Sequence, residues 1–199
     1  MAQLYFNYAS MNAGKSANLL TAAHNYKERG MGTLILKPAI DTRDSATEVT
    51  SRIGLRHEAN TVDESIDILE FFKWAQTQRD IHCVFVDEAQ FLTTEHVVQL
   101  CKIVDLYDVP VMAYGLRTDF RGELFEGSKA LLAVADKLVE LKGVCHCGRK
   151  ATMVARIDEN GNAITDGEVV ELGGEDKYVS LCRKHWFELI GVYNEAKNV

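Results

Sequence analysis

The pattern of apolar and polar positions predicts strands and helices in turn along residues 1–143. Helices are indicated where apolar residues recur every three or four positions, beginning near residues 14, 61, 94 and 127. Residues 39–60 are polar and irregular and are predicted to form a loop region. Short alternating or continuously apolar runs indicate strands at residues 3–8, 33–36, 83–86, 109–114 and 137–141.

This alternation favours an α/β fold, in which crossover helices flank a parallel sheet. The second helix is predicted to begin at Thr61, because Thr61 and Glu64 have the spacing of a capping box. After Gly143 the pattern changes to Cys and His pairs, a turn-forming Glu-Asn-Gly segment at 159–161, short strands and a terminal helix. We therefore predict two domains, residues 1–143 and residues 144–199.

Composition narrows the classes of protein that the chain fits. Of its 199 residues, 47% are hydrophobic and 26% are charged, which is typical of a globular protein. The net charge of −7 and the lack of a basic run argue against tight nucleic-acid binding, which needs clustered Lys and Arg. No apolar run approaches the roughly 18–20 residues that cross a bilayer, and the chain begins without a signal pattern. We expect a cytoplasmic protein with no membrane partner and no nucleic-acid partner.

Residues 9–16 nearly match the phosphate-binding pattern G-x-x-x-x-G-K-[ST], between a predicted strand and a predicted helix. Backbone N–H groups at such a helix start form an anion site, and Lys15 would add charge at the β- and γ-phosphates. Ser16 is of the type that ligates Mg²⁺ in such loops. Ala9 stands where the pattern has Gly, and its Cβ would be strained if the backbone there needed a positive φ.

Two carboxylates, Asp87 and Glu88, follow the apolar strand at 83–86. The carboxyl ends of parallel strands are where ligands bind in open α/β sheets, so the pair is placed for chemistry. We predict that Asp87 holds Mg²⁺ and that Glu88 accepts a proton from an attacking hydroxyl. These motifs predict a nucleotide site without naming the phosphate acceptor, because an ATPase would use the same acid to activate water.

Three of the five cysteines belong to close pairs of metal-ligand type, Cys145-x-Cys147 and Cys182-x-x-His185. Four protein ligands would close a tetrahedral shell, so we predict a structural Zn²⁺ rather than a catalytic one. His146 is a possible competing ligand. Cys83 and Cys101 lie in apolar stretches and are predicted to be core residues.

Five segments together resemble the type II, zinc-ribbon thymidine kinase family, and the sequence is similar to its bacterial branch. The segments are residues 11–16, 86–91, 114–120, 145–151 and 173–183. The resemblance implies a P-loop NTPase-like sheet with a small C-terminal zinc-ribbon domain carrying a substrate-binding lasso loop. It implies ATP:thymidine 5′-phosphotransferase activity in pyrimidine salvage, with Mg²⁺ and one Zn²⁺ as cofactors, and a homotetramer. Deoxyuridine is a further expected substrate.

The resemblance also assigns residues of this chain to the site. Glu88 is the implied catalytic base. The implied ATP-binding residues are Ala9, Ser10, Met11, Asn12, Ala13, Gly14, Lys15, Ser16, Asp87, Glu88, Ala89 and Gln90. The implied nucleoside-binding residues are Met11, Phe91, Leu116, Phe120, Phe125, Val169, Val170, Glu171, Leu172, Gly173 and Tyr178, the last six belonging to the lasso at about 164–178. Arg43 and Arg117 are candidates for stabilising transition-state charge.

Two other functions use the same motifs. A nucleic-acid-stimulated ATPase with a DNA- or RNA-binding ribbon would share the phosphate loop, the acid pair and the metal site, but the acidic charge argues against it. A nucleotide-gated regulatory protein would need Glu88 only as a helix-capping residue. Formation of a phosphorylated nucleoside distinguishes the expected kinase from both.

Overall fold

The computed structural model describes residues 1–39, 48–169 and 177–193. Its helices are α1 (Lys15–Glu28), α2 (Ile68–Gln78), α3 (Thr94–Tyr107), α4 (Glu126–Val134) and α5 (Arg183–Leu189), with a 3-10 helix at Ala89–Phe91. Its strands are β1 (Leu4–Ala9), β2 (Thr33–Pro38), β3 (Glu48–Thr50), β4 (Arg56–Glu58), β5 (Asn60–Val62), β6 (Cys83–Val86), β7 (Val111–Leu116), β8 (Lys137–Glu140), β9 (Gly143–Val144), β10 (Lys150–Ala151), β11 (Met153–Ile157), β12 (Ala163–Ile164) and β13 (Tyr178–Leu181).

Six of these strands form one parallel sheet in the order β5-β2-β6-β7-β1-β8. Strand β6 is buried on both faces of the sheet. Its alternate residues belong to different core clusters, Val84 and Val86 to one and Cys83 and Phe85 to the other. A strand buried on both faces is continuously apolar, as the sequence of β6 is. The predicted α/β sheet with crossover helices is therefore confirmed.

The predicted loop region at 39–60 is wrong in part, because residues 48–60 contain the short strands β3 and β4 and the first residue of β5. Strands β3 and β4 form an antiparallel hairpin, and β5 adds to the edge of the main sheet beside β2. Each strand has only three residues, which is too short for an alternating pattern to be visible in the sequence.

The capping box predicted at Thr61 is also wrong. Thr61 lies in β5, and α2 begins later, with Asp67 as its N-cap accepting a hydrogen bond from the Glu70 N–H at 2.9 Å. Pairing of Thr61 with Lys37 of β2 fixes the residue in extended backbone. The Asp63 carboxylate instead closes a turn, accepting from the Ser65 N–H and hydroxyl.

After Gly143 the described chain forms small antiparallel sheets and a short helix. Strands β9 and β10 pair, and β11 lies between β12 and β13. Buried Trp186 of α5 packs with Leu181 and Ala155 in a separate apolar cluster. We call residues 143–169 and 177–193 the ribbon. Within the described residues, no helix is long and apolar enough to cross a membrane.

Candidate functional site

The phosphate loop joins β1 to α1 at the carboxyl edge of the sheet. Gly14 caps α1 with a φ of 76°, and Asn12 also has a left-handed backbone, with a φ of 61°. Buried Lys15 begins the helix, and its Nζ donates to the Ser10 carbonyl at 3.2 Å. The turn thus brings successive N–H groups to the positive end of α1, an arrangement that binds anions.

Alanine at position 9 causes no backbone strain. Ala9 is the last residue of β1 and pairs with Leu116 of β7. The non-glycine residues with positive φ in the described chain are Asn12, Glu88 and Asp108, so Ala9 has an ordinary backbone. A Cβ is therefore compatible with this loop, although the phosphate-binding pattern has Gly there.

Asp87 and Ser16 meet at the same sheet edge although 71 residues separate them. The Ser16 hydroxyl donates to Asp87 Oδ2 at 2.9 Å, and the Asp87 N–H bonds the Leu36 carbonyl of β2. Burial, and next the charge of Glu88, raise the pKa of Asp87 to about 7, while the Ser16 hydrogen bond acts in the opposite direction. A buried carboxylate with a raised pKa at a sheet edge is typical of a functional site.

The Ser16–Asp87 pair fits a magnesium ion. Two neighbouring oxygens of an octahedral Mg²⁺ shell, each about 2.1 Å from the ion, lie about 3.0 Å apart. The hydroxyl and carboxylate oxygens of this pair are 2.9 Å apart.

Glu88 follows Asp87 in the chain and has a backbone conformation that residues other than glycine seldom adopt. Its φ is 46° and its ψ 40°, at the start of the 3-10 helix. A left-handed non-glycine residue costs about 1–3 kcal/mol and persists where its surroundings hold it in place. Such strain clusters at functional sites, which agrees with the predicted role of this carboxylate.

Gln90 holds the Glu88 carboxylate. Its Nε2 donates to Glu88 Oε2 at 2.5 Å, and its Oε1 accepts from the Leu116 N–H of β7 at 2.9 Å. The side chain is almost wholly buried. Gly115 leaves room for it, since a Cβ at position 115 would lie 2.8 Å from Gln90 Oε1. Gln90 was predicted to contact ATP; in the structure its side chain joins the acid to the neighbouring strand.

The aromatic residues predicted to bind the nucleoside form two ring pairs. Phe91 and Phe125 contact edge to face with ring centroids 5.7 Å apart, and Phe120 lies 6.5 Å from Tyr178 of the ribbon. Phe120 is buried, whereas its partner Tyr178 is half-exposed. Half-buried apolar faces of this kind suit a flat ring with polar edges.

The remaining predicted nucleoside residues are placed as follows. Met11, Leu116 and Val169 are half-exposed. Val170, Glu171, Leu172 and Gly173 lie outside the described residues, and so does Arg43. The Arg117 guanidinium, which was a candidate for phosphate charge, donates to the Thr152 carbonyl at 3.0 Å and so connects to the ribbon.

The predicted metal ligands form a cluster whose four ligand atoms lie within 4.8 Å of one another, namely those of Cys145, Cys147, Cys182 and His185. Tetrahedral zinc with Zn–S of about 2.3 Å and Zn–N of about 2.1 Å requires S–S edges of about 3.8 Å and S–N edges of about 3.6 Å. The Cys147–Cys182 sulfurs are 3.9 Å apart, and His185 Nδ1 is 3.3 and 3.6 Å from the sulfurs of Cys145 and Cys182. The residues therefore fit a zinc ion.

The surroundings of Cys145 favour its thiolate, and those of His185 favour one tautomer. Burial opposes ionisation of Cys145, but hydrogen bonds, the largest from the Cys147 N–H, lower the pKa of Cys145 to about 6. His185 Nδ1 faces the sulfurs while its Nε2 faces Glu188, 3.7 Å away, as outer carboxylates orient metal-bound histidines. His146 stacks on His185 at 4.3 Å and lies outside the set of four ligands.

Sequence reasoning missed the contacts between the ribbon and the site. Ser180 of β13 donates its hydroxyl proton to the Met11 carbonyl at 2.7 Å, and Ser10 donates to the Ala151 carbonyl at 3.3 Å. Trp186 Nε1 donates to the Val154 carbonyl at 2.9 Å and approaches the Phe120 carbonyl at 3.3 Å. These contacts join residues far apart in the chain, and no local sequence signal marks them.

A family model and three sequence relatives all indicate the thymidine kinase family. The family model described as "Thymidine kinase" matches residues 2–186. A thymidine kinase of Enterobacteria phage T4 is 69% identical over 95% of this chain and 97% of its own length. Thymidine kinases of Agrobacterium fabrum and Vibrio cholerae are each 56% identical, over 94% and 96% of this chain and 97% and 100% of their own lengths.

Proposed function

We propose that this chain, which belongs to the thymidine kinase family, transfers the γ-phosphate of ATP to the 5′-hydroxyl of thymidine. The observation that carries the proposal is the meeting of the phosphate loop with the acid pair. Ser16 bonds Asp87, and Glu88 follows directly, at one edge of a parallel sheet. This arrangement supports phosphoryl transfer, because the same edge provides phosphate, metal and proton-accepting groups.

Glu88 is the proposed base of the reaction. Its carboxylate takes the proton of the 5′-hydroxyl as that oxygen attacks the γ-phosphorus, and the bond from the γ-phosphorus to the β,γ-bridging oxygen breaks. The products are thymidine 5′-monophosphate and ADP. Gln90 and the strained backbone of Glu88 support the role, since they fix the carboxylate before substrate binds.

The phosphates of ATP are held by the loop at residues 10–16 and by Lys15. Backbone N–H groups orient the β- and γ-phosphates, and the Lys15 ammonium balances their charge. Ser16 and Asp87 would hold Mg²⁺, which on binding neutralises charge on the β- and γ-phosphate oxygens. Asp87 and Glu88 are buried at this edge, and exclusion of water from the bound phosphates would suppress hydrolysis of ATP.

The nucleoside is proposed to bind beside the acid pair, against the aromatic groups. Phe91, Phe120, Phe125 and Tyr178 offer flat faces to thymine, with Met11 and Leu116 at its sides. Backbone groups of residues 169–173 would read the edge of the base, an assignment that rests on family resemblance. Deoxyuridine is included as a substrate, because it presents the same edge without the 5-methyl group.

The four ligands of the ribbon are proposed to hold one structural Zn²⁺. All four coordination positions are filled by protein groups, so no position is left for substrate. The finer properties of the protein, a homotetramer, a cytoplasmic location and no nucleic-acid partner, are part of the same proposal. Gel filtration with light scattering tests the first directly.

A panel of acceptors tests the proposal. Purified protein with Mg·ATP is offered thymidine, deoxyuridine, deoxycytidine or no acceptor, and nucleoside monophosphate is measured by chromatography. We expect thymidine 5′-monophosphate, some deoxyuridine product, and little phosphate release without acceptor. Release of phosphate and ADP in every sample, with no nucleoside monophosphate formed, would refute the kinase and favour an ATPase.

A further inference from the structure

Strand β13 contacts both substrate sides of the proposed active site and ends at the metal cluster. Along a strand, residues two apart share a face. Tyr178 approaches Phe120 of the nucleoside side, Ser180 donates to the Met11 carbonyl of the phosphate loop, and Cys182, directly after the strand, is a ligand of the cluster. Three residues on one face of this extended segment, Tyr178, Ser180 and Cys182, therefore connect the nucleoside pocket, the phosphate loop and the metal cluster.

The Ser180 bond fixes the orientation of one peptide in the phosphate loop. The described chain contains no cis peptide bonds, so the Met11–Asn12 peptide is trans. In a trans peptide the C=O and the following N–H point in opposite directions. Because Ser180 holds the Met11 carbonyl towards the ribbon at 2.7 Å, the Asn12 N–H is directed away from the ribbon, into the loop.

Asn12 is also the loop position that most needs an external constraint. Its φ of 61° lies in the left-handed region, which side-chain-bearing residues populate rarely. Such a conformation persists when neighbouring contacts hold it. The hydroxyl of Ser180 is bonded to the peptide that leads into Asn12, and thus acts on this residue.

A second contact shows that ribbon and loop pack closely. Ser10 donates to the Ala151 carbonyl of β10, and a Cβ added at Gly143 would lie 3.0 Å from Ser10 Oγ. Glycine at 143 therefore lets the start of the ribbon approach the loop. Two hydrogen bonds therefore join the ribbon to neighbouring residues of the loop, one from the Ser10 hydroxyl to the ribbon and one from Ser180 to the Met11 carbonyl.

We propose that Ser180 is a positioning residue for the phosphate loop, through which the ribbon sets the affinity for ATP as well as the binding of the nucleoside. The inference rests on the proposed function, since it takes ATP as the ligand of this loop. Ser180 touches neither substrate in this account. It acts by holding the Asn12 N–H in the orientation that an anion requires.

The test compares Ser180→Val with Ser180→Thr, two side chains of nearly equal size and high strand propensity, of which only Thr retains the hydroxyl. Ser180→Ala is the third variant. The dissociation constants of Mg·ATP and of thymidine are measured separately by calorimetry, together with steady-state KM and kcat. Zinc content, and the fluorescence of Trp186 in a Trp74→Phe background, report whether the ribbon remains folded and in place.

We expect Ser180→Val and Ser180→Ala to weaken ATP binding about 3- to 10-fold, the loss typical of one hydrogen bond, with Ser180→Thr close to the parent. Thymidine affinity and zinc content should stay within about twofold of the parent. Unchanged ATP affinity in the Val and Ala variants would overturn the proposal. So would equal losses in Val and Thr, or equal losses for ATP and thymidine.

The outcome is separable from that of the proposed function. If the parent protein makes no thymidine 5′-monophosphate, the kinase proposal fails on that observation alone. Binding of Mg·ATP to the parent and its change on removing the Ser180 hydroxyl still decide whether the ribbon positions the loop. A parent that makes the monophosphate, with Val and Ala variants of parental ATP affinity, would overturn the positioning role and leave the kinase intact.

Discussion

The phosphate side and the nucleoside side of the candidate site are built from different kinds of structure. The phosphate side consists of buried polar groups at the carboxyl edge of one sheet, Lys15 at the start of α1 and Asp87 directly after β6. The nucleoside side consists of half-buried aromatic groups from a 3-10 helix, a loop and the ribbon, such as Phe91, Phe125 and Tyr178. In the proposed function, the first arrangement binds the phosphates that all nucleoside triphosphates share, whereas the second selects one acceptor.

This difference predicts how the two sides respond to change. Polar groups at the ends of paired strands are fixed by the sheet, so their loss should affect the chemical step while leaving the fold intact. Groups that depend on the ribbon are fixed by contacts between distant parts of the chain. Their loss should weaken nucleoside binding first. Four changes, from the largest expected effect to the smallest, test this separation.

Removing the proposed base should have the largest effect. Glu88→Gln keeps the size of the side chain but cannot accept the 5′-hydroxyl proton, so kcat should fall about 10²- to 10⁴-fold. The dissociation constant of Mg·ATP should stay near that of the parent, because the loop at 10–16 is untouched. Steady-state assays measure kcat, single-turnover assays show whether the transfer step itself is slowed, and calorimetry measures the dissociation constant. A variant that turns over at the parental rate would refute the role of Glu88.

Removing the metal should mainly affect the nucleoside side. Chelation, or Cys182→Ser, should lower kcat/KM for thymidine about 10²-fold, since displacing substrate-positioning groups by about 1 Å has effects of that order. Loss of the Ser180 contact predicts a smaller rise in the KM for ATP. Cys101→Ser, which changes a thiol outside the cluster, is the matched control. Active protein that contains much less than one zinc per chain would contradict the structural role.

Replacing an aromatic face should raise the KM for thymidine alone. Phe91→Leu retains apolar volume but loses both the ring face and the edge-to-face contact with Phe125, so we expect an increase of about 3- to 10-fold. The KM for ATP should not change. Trp74→Phe on α2, where the side chain is exposed, serves as the control. An equal rise in both KM values would mean that the two sides are not separate.

The smallest effect concerns the support of the base. Gly115→Ala places a Cβ against Gln90 Oε1 and should displace the amide from Glu88, lowering kcat about 2- to 10-fold. If this is the cause, Gly115→Ala should add little in a Gln90→Ala background, which a double-mutant cycle measures. Additive losses in the double variant would show that Gly115 acts by another route.

Much of the phosphate side was predictable because its information is local. A strand, a turn that ends at Gly14, and Lys15 lie within one short segment, and the acid pair follows an apolar run. The metal cluster was predictable for the same reason, since each half of it is a close pair. The strands of the main sheet with four or more residues could be predicted from their short apolar or alternating runs and from the succession of strands and helices.

The rest depends on contacts that the sequence does not display. The three-residue strands β3 to β5 are fixed by their partners, and Thr61 is held extended by β2 in spite of its capping-box spacing. The Gln90 side chain accepts a hydrogen bond from Leu116, 26 residues later in the chain. Ser180 donates one to Met11 of the phosphate loop, 169 residues earlier. The nucleoside-binding residues were predicted from family resemblance alone, because each of the apolar ones is by itself more typical of a core.

The most direct test of the central claim is the mass balance of the reaction. Purified protein with limiting Mg·ATP is incubated with thymidine, without thymidine, or with single-stranded DNA, and ATP, ADP, phosphate and thymidine 5′-monophosphate are all measured. We expect one monophosphate formed for each ATP consumed with thymidine, and little ATP consumed otherwise. ATP consumption that yields free phosphate and rises with single-stranded DNA, with no monophosphate formed, would contradict it.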